Sequence, residues 1–409
     1  MELKMKYQYT NFVYPYIVEE KNYKKYIQKL LKNNKCKTRF FEKEKDKELY
    51  KYFLPNIRKF MFNNFSFSRE KIAEFDKLDV EVKSTILNKY PCVFFEYKID
   101  ENIPGKVGEE NGIFFKIDSI QLICFNTGIC FEVIKTHIEN SNSFDDVLDF
   151  NYKFKNVNYS SENVEEDEKI KIQTSNFENM QDIKKLINNL IIKSKLTEKL
   201  DIDTEKLYTY TYTCIDQENW NDNKKFEEIK NEFNKFANVL PSNYNVRGEK
   251  IKTYDIAKFK YAKMGLTKTS TALLTSSGTD VYNYTKLPYE FENQYFYTYI
   301  IELYKKIYLR KIGLEYKKEK TQNTRKKFIN FSKNIWIQEI TSEIEGNSFA
   351  KSLRKALELD SDYKEIKNKY DLMYKESELE KNEKINKLIL IVLIISLVLN
   401  VINFYILLK

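Results

Sequence analysis

From Leu388 to Leu408 the chain runs for 21 residues without a charged side chain. As an α-helix this stretch is about 31 Å long, the thickness of a bilayer core. We read residues 387–408 as one transmembrane helix. Lys381, Lys384 and Lys387 precede it and only Lys409 follows, so the positive-inside bias puts the N-terminal part in the cytoplasm. The N-terminal stretch "MELKMKYQYTNFVYPYIVEE" is interrupted by Lys4, Lys6 and Pro15 and does not read as a signal peptide. The expected topology is single-pass and tail-anchored in the cell membrane.

Ser396, Asn400 and Asn403 follow at spacings of four and three, which places them on one helix face. Facing lipid, an amide is a costly unsatisfied group. Three placements relieve it: the far headgroup region, hydrogen bonds between copies of the helix, or the lining of a wet pore.

Before the span, residues 1–280 read as an α+β domain with a mixed or antiparallel sheet. "YKKYIQKLLKNN" and "KELYKYFLPNIRKFMFNN" have helical periodicity, the second broken near Pro55. "CVFFEYKI", "GIFFKI", "SIQLICF" and "ICFEVIKTHI" are strand-length β-branched and aromatic runs, and Asn126-Thr127-Gly128 turns the last two into a hairpin with Cys124 opposite Cys130. The five cysteines show no CxxC spacing and read as reduced thiols of a cytosolic compartment. "SSENVEEDEKIK" reads as an exposed loop. "MQDIKKLINNLIIKSKL" reads as a helix, "KLYTYTYTCID" as a strand and "NKKFEEIKNEFNKFANVL" as a helix. "FKYAKMGLTKTSTALLTSSG" reads as two strands.

Residues 281–386 carry helical pattern almost throughout, in three long helices of which the last runs into the membrane. In that helix Leu359, Tyr363, Ile366, Tyr370 and Met373 alternate at four and three, a short coiled-coil seam. The alternative is that the seam packs on helices of its own chain. A basic run, Lys305, Lys306, Arg310, Lys311, Lys317, Lys318, Lys320, Arg325, Lys326 and Lys327, is the most positive part of the sequence. Its readings are an anionic lipid surface, a small acidic ligand, or a solvated helix face. The net charge of +9 is spread over the whole chain and does not imply nucleic-acid binding.

No catalytic constellation is visible. His137 is the only histidine, which excludes multi-histidine zinc sites and leaves no histidine-based triad unless His137 serves. "GLTKTST" lacks phosphate-loop spacing. Asp145, Asp146 and Asp149, then Asp201, Asp203 and Glu205, then Asp216 and Glu218 are oxygen-rich groups of the kind that hold Mg²⁺ or another divalent cation when they converge, and otherwise form solvated or capping faces. A membrane-tethered enzyme is the least supported reading, and a convergent pocket joining His137 or these carboxylates would be its structural sign.

The order of elements, an α+β cytosolic domain, a long-helix stalk or hairpin and a C-terminal span, resembles the CorA-type divalent-cation channel family, most closely over residues 282–408. That family has two spans and a Gly-Met-Asn signature. This chain has one span and reads "VINFYILLK" at that place, so no signature residue is carried over. The resemblance implies a homo-oligomer, pentameric in the family, with Asn400 and Asn403 facing the axis. The expected function is an oligomeric inner-membrane protein with a cytosolic sensing domain that conducts cations through an asparagine-lined pore. The alternative is a non-conducting, tail-anchored binding or scaffold protein at the cytoplasmic membrane face, such as a stress or defence effector. Neither reading makes the chain an enzyme.

Overall fold

The computed structural model describes residues 3–99, 103–107, 112–156, 170–172, 181–182, 207–216, 226–245, 253–254, 262–278, 281–318 and 322–408. In chain order the elements begin with β1 (Met5–Ile17), α1 (Tyr23–Lys32), β2 (Cys36–Arg39), α2 (Lys47–Tyr52), α3 (Pro55–Met61), α4 (Arg69–Asp76) and α5 (Val80–Leu87). Next come β3 (Cys92–Tyr97), β4 (Ile103–Val107), β5 (Ile113–Phe125), β6 (Ile129–Ile138), α6 (Phe144–Lys155), β7 (Ile170–Ile172), β8 (Gln181–Asp182) and β9 (Tyr208–Ile215). The remainder is α7 (Lys230–Asn238), β10 (Thr253–Tyr254), β11 (Ala262–Leu266), β12 (Ser270–Ser276), α8 (Tyr282–Glu290), a π-helical turn (Phe291–Tyr295), α9 (Phe296–Lys318), α10 (Gln322–Asn334), α11 (Ile344–Ala356) and α12 (Leu359–Leu407).

Two compact units result, one from Met1–Tyr308 with Trp336–Leu359, the other from Leu309–Ile335 with Asp360–Lys409. Compactness thus changes inside α9 and at the start of α12, whereas the strand pattern in the sequence ends near residue 280.

The first unit is built on one mixed sheet. Its order is β10-β11-β12-β9-β1-β6-β5-β4-β7-β8, with β3 also on β5 and β2 on β3. Every pair is antiparallel except β9 with β12. β1 is buried almost continuously from Tyr9 to Ile17, the pattern of a central strand covered on both faces. Pro15 fits there because β9 pairs with β1 only as far as Val13, so the missing N–H faces no ladder partner on that side. On one face α1 buries Tyr23, Tyr26, Ile27 and Leu30, and α6 buries Phe144, Val147, Leu148 and Phe154, each at three-and-four spacing. They share a core with Leu122, Cys124, Cys130 and Ile134 of the sheet. On the other face Phe125 stacks on Tyr304, with ring centroids 4.0 Å apart, and Tyr210 on Phe291 at 4.3 Å.

The predicted hairpin is present, with Cys124 opposite Cys130 and all five cysteines free thiols. Gly128 turns it with φ +83°, and a Cβ there would lie 2.0 Å from the Val18 carbonyl oxygen, so only glycine fits. "GIFFKI" and "SIQLICF", read as two strands, form one strand with a bulge between Ile117 and Ser119. Ile170 and Lys171, read as the end of a loop, pair with β4 in β7, and Gln181 and Asp182, read as the start of a helix, form β8. The rest of those two segments lies outside the described residues.

In the second unit α10 packs on α12: Phe328 stacks on Tyr370 at 5.0 Å, Tyr363 hydrogen-bonds Ser332, and Arg325 lies 4.0 Å from the Tyr374 ring. The Cβ position at Gly313 is within 2.8 Å of Ile366. The helical pattern runs without a break from Ser348 into the span. A left-handed residue, Glu358 at φ +57°, instead separates α12 from α11. Helix α10 stops at Asn334, although the helical pattern of the sequence continues through "IWIQEI". From Leu388 to Leu408 every side chain of α12 is exposed, and the helix is long and apolar enough to cross a membrane.

Candidate functional site

Strand β5 is longer than either partner on its outer edge. Its C-terminal half pairs with β3 as far as Tyr97 opposite Ile120, and its N-terminal half pairs with β4 from Ile103 opposite Ile117. Asp118 and Ser119 fall between the two partners, so the sheet is split there. Asp118 is also the extra residue of the bulge against β6, since Ile117 faces Thr136 and Ser119 faces Lys135. A bulge re-aims its side chain and frees backbone groups from the ladder. A cavity of about 660 Å³ opens at this split, within the range of small-molecule sites.

Its apolar lining, Leu31, Cys36, Phe75, Tyr97, Ile99 and Ile120, belongs to the core cluster on the α1 face of the sheet or packs on it. The rest of the lining is mainly polar and includes Asn11, Asp118, Gln121, Lys135, Glu292 and Asn293. Two close polar contacts organise it. Asp118 Oδ1 lies 2.7 Å from His137 Nδ1, and Lys135 Nζ donates to Glu292 Oε1 at 2.6 Å while lying 5.0 Å from the Tyr9 ring centroid. Both pairs are partly screened from solvent, with side-chain exposures of 32% and 25% for His137 and Asp118 and 19% and 32% for Lys135 and Glu292.

Glu292 is brought to the site by the π-helical turn. Pro288 lies inside α8, where it has no N–H to give the preceding turn, and the helix widens at Phe291–Tyr295. Three buried tyrosines fasten this region to the sheet. Tyr9 donates to the Pro288 carbonyl at 2.9 Å, Tyr210 to the Phe291 carbonyl at 2.6 Å, and Tyr212 to the Asn283 carbonyl. π-turns inside α-helices concentrate at functional sites. The charge here is felt nearby: the Tyr7 phenol is pushed above its ordinary range by burial, then by Glu292 and Asp118. Burial pushes the Tyr297 phenol up to about 12 and the Cys36 thiol up to about 11, so both stay protonated at neutral pH.

At the mouth, β2, β3, α4 and α5 contribute Lys37, Asp76, Lys83, Glu96 and Lys98. Lys83 donates to the Asp76 carbonyl at 2.8 Å, and Arg39 lies 3.5 Å from Glu96. Lys37 and Lys98 are exposed and have no ion pair among the described residues.

The residues singled out on the sequence lie elsewhere. Lys305, Lys306 and Lys311 are buried, at 0%, 5% and 4% exposure, so they do not belong to a solvent- or lipid-facing basic patch. Lys305 Nζ donates to Glu302 Oε1 at 2.7 Å and to the Ile337 carbonyl at 3.0 Å, and Lys306 Nζ donates to the Leu357 carbonyl at 2.7 Å. Arg310 is half-buried, Arg325 covers Tyr374, Lys327 pairs with Glu315 at 3.3 Å, and Lys326 is exposed. Lys317 and Lys318 are helical, their side chains outside the described residues, as is Lys320 altogether. In the seam, Ile366 and Tyr370 are buried against their own chain, so those positions are not free to form a coiled coil with a second copy. Leu359 is fully buried in the first unit, and Met373 is half-buried. Ser396, Asn400 and Asn403 are exposed on α12.

Among the described residues no three His, Cys, Asp or Glu groups gather at metal-ligating range. Asp149 accepts from Ser242 N at 2.7 Å and Ser242 Oγ at 2.9 Å, a structural cap, and Asp145 and Asp146 sit in the first turn of α6, where the helix dipole favours acids. Asp201, Asp203, Glu205 and Glu218 lie outside the described residues. Comparison with family models, with curated proteins and with solved structures returns no match.

Sequence reasoning missed Asp118, Lys135 and Glu292, though it held two marks of them. The break between "GIFFKI" and "SIQLICF" is the bulge, and Pro288 marks the helix that widens.

Proposed function

We propose that this protein is a single-pass, membrane-anchored binding protein whose sheet domain recognises a small polar ligand on the cytoplasmic side. One observation carries the reading. Two departures from regular structure, the bulge at Asp118 and the π-turn at Phe291–Tyr295, meet at one cavity and supply its paired charges. Regular strand and helix would bury Asp118 in the ladder and turn Glu292 elsewhere, and natural folds retain such departures chiefly where a site needs them. The anchor is supported by the exposed apolar end of α12, and its sidedness by Lys381, Lys384 and Lys387.

The test is a screen of polar metabolites against the full chain in nanodiscs, with Lys135→Met beside the wild type. Removing the ammonium leaves Glu292 without its partner in the wall, and a ligand lodged there is expected to bind about tenfold or more weakly. A cavity that takes no compound of the panel, or binding indifferent to Lys135, overturns the reading.

A second reading, a CorA-like oligomer conducting cations through an asparagine-lined pore, is favoured by the single face of Ser396, Asn400 and Asn403 on an exposed apolar helix. It predicts a defined ring, a pentamer if the layout of that family holds, by mass measurement in nanodiscs. The Asn400→Leu, Asn403→Leu double variant is then expected to lose both the ring and any cation flux in liposomes. A monomeric wild type leaves α12 as an anchor.

A further inference from the structure

The lining of the cavity is drawn from β6, β5, β3 and β2, three strand spacings, or about 14 Å. Its two ends differ in chemistry. The inner end carries the amides of Asn11, Gln121 and Asn293 beside the rings of Phe296 and Tyr297, with its charges already paired. The outer end carries the exposed ammonium groups of Lys37 and Lys98, brought together because Lys37 faces Glu96 across β2 and β3 and the Lys98 N–H donates to the Lys35 carbonyl at 2.6 Å. An elongated molecule lying in the split meets hydrogen-bonding amides and aromatic faces at one end and positive charge at the other.

We infer that the ligand of this cavity is a nucleoside phosphate, its base held at Asn11, Gln121 and Asn293 and its phosphate at Lys37 and Lys98. This rests on the reading of the cavity as a small-ligand site. Amides serve a base because its edge offers donors and acceptors side by side, to which Asn293, whose Nδ2 donates to the Tyr289 carbonyl at 2.9 Å, presents its oxygen, and Gln121, hydrogen-bonded to Tyr297, the amide group that this bond leaves. Lysine serves a phosphate as a flexible point charge. Carboxylates line both ends, but at the outer end Glu96 has Arg39 at 3.5 Å and Lys37 and Lys98 add to it, whereas at the inner end Lys135 is engaged by Glu292, so the phosphate is placed outward.

The experiment is isothermal titration of the full chain in nanodiscs with AMP, GMP, UMP and CMP, and with adenosine, inorganic phosphate and a set of aromatic carboxylic acids. One nucleotide is expected to bind at least about tenfold more tightly than its nucleoside, the size of a charge-assisted contact, and more tightly than inorganic phosphate. Lys37→Gln with Lys98→Gln, both exposed and so expected to keep the thermal unfolding of the wild type, should remove that advantage. Gln121→Leu should instead flatten the preference among the four bases. If nucleotides fail to bind while aromatic acids or other metabolites do, or if inorganic phosphate competes equally with every nucleotide, the inference is overturned and the small-ligand reading stands. If nothing in the wider panel binds, both fall.

Discussion

Replacing Glu302 by alanine is expected to destabilise this protein by about 3–5 kcal/mol, the cost of stranding buried charge. Glu302 is fully buried and accepts from two cations at once, Lys305 Nζ at 2.7 Å on one oxygen and Arg354 Nε at 3.2 Å on the other. Both cations also donate to the Ile337 carbonyl, and Arg354 lies 5.1 Å from the Trp336 ring. Within the first unit the cluster therefore joins α9, α11 and the segment between α10 and α11. Without the carboxylate, two cations remain buried with only a neutral oxygen in common. Denaturant unfolding of the full chain in detergent, followed by tryptophan fluorescence, measures the loss, and Trp336 reports directly because it sits on Arg354. Replacing Glu302, Lys305 and Arg354 together by methionine should recover most of the stability, since exchange of a complete buried ion cluster for apolar side chains is often neutral. A loss below about 1 kcal/mol for Glu302→Ala would show that the cluster is hydrated and weakly coupled.

The second large effect concerns pH. Glu132 lies on β6 opposite Tyr14 of β1 and Leu122 of β5, fully buried, with neither carboxyl oxygen hydrogen-bonded among the described residues. Burial holds its acid well above the ordinary glutamate range, so the folded protein keeps this proton where the unfolded chain has lost it. Over that window the folded state binds more protons, and stability falls as pH rises. The decline starts near the unfolded value of about 4.3 and runs at about 1.4 kcal/mol per pH unit for one group until the folded carboxyl itself ionises. Below that value both states are protonated and the effect vanishes. Glu132→Gln keeps the shape and cannot ionise. It is expected to match the wild type near pH 4 and to exceed it increasingly toward pH 7. Parallel pH profiles for the two proteins would mean that Glu132 finds a partner in solution.

The same two glutamates show how far sequence reaches. In "ICFEVIKTHI" Glu132 sits among apolar residues on a strand-length run, and its burial follows from strand alternation once both faces of the sheet are covered. Nothing local told which cations would approach Glu302, because a helix of mixed composition such as α9 has no single apolar stripe to orient it. Lys305 and Lys306 looked like part of a surface basic run for the same reason. Their burial was decided by Ile337 and Leu357, 32 and 51 positions away from Lys305 and Lys306 in the chain, and by Arg354 on the shared Glu302.

Local periodicity by itself determined α1, β3, the hairpin at Cys124 and Cys130 and the membrane-length apolar helix, because each is specified by the spacing of apolar residues within about a dozen positions or by sheer length without charge. The cavity was not determined that way. Asp118 and His137 are 19 residues apart and Lys135 and Glu292 are 157, and they meet only because β5 outruns its neighbours and a proline-interrupted helix lies on the sheet. Loop closure over such distances leaves no trace in a window of sequence. Strand register and helix packing decide it, and these are properties of the whole sheet.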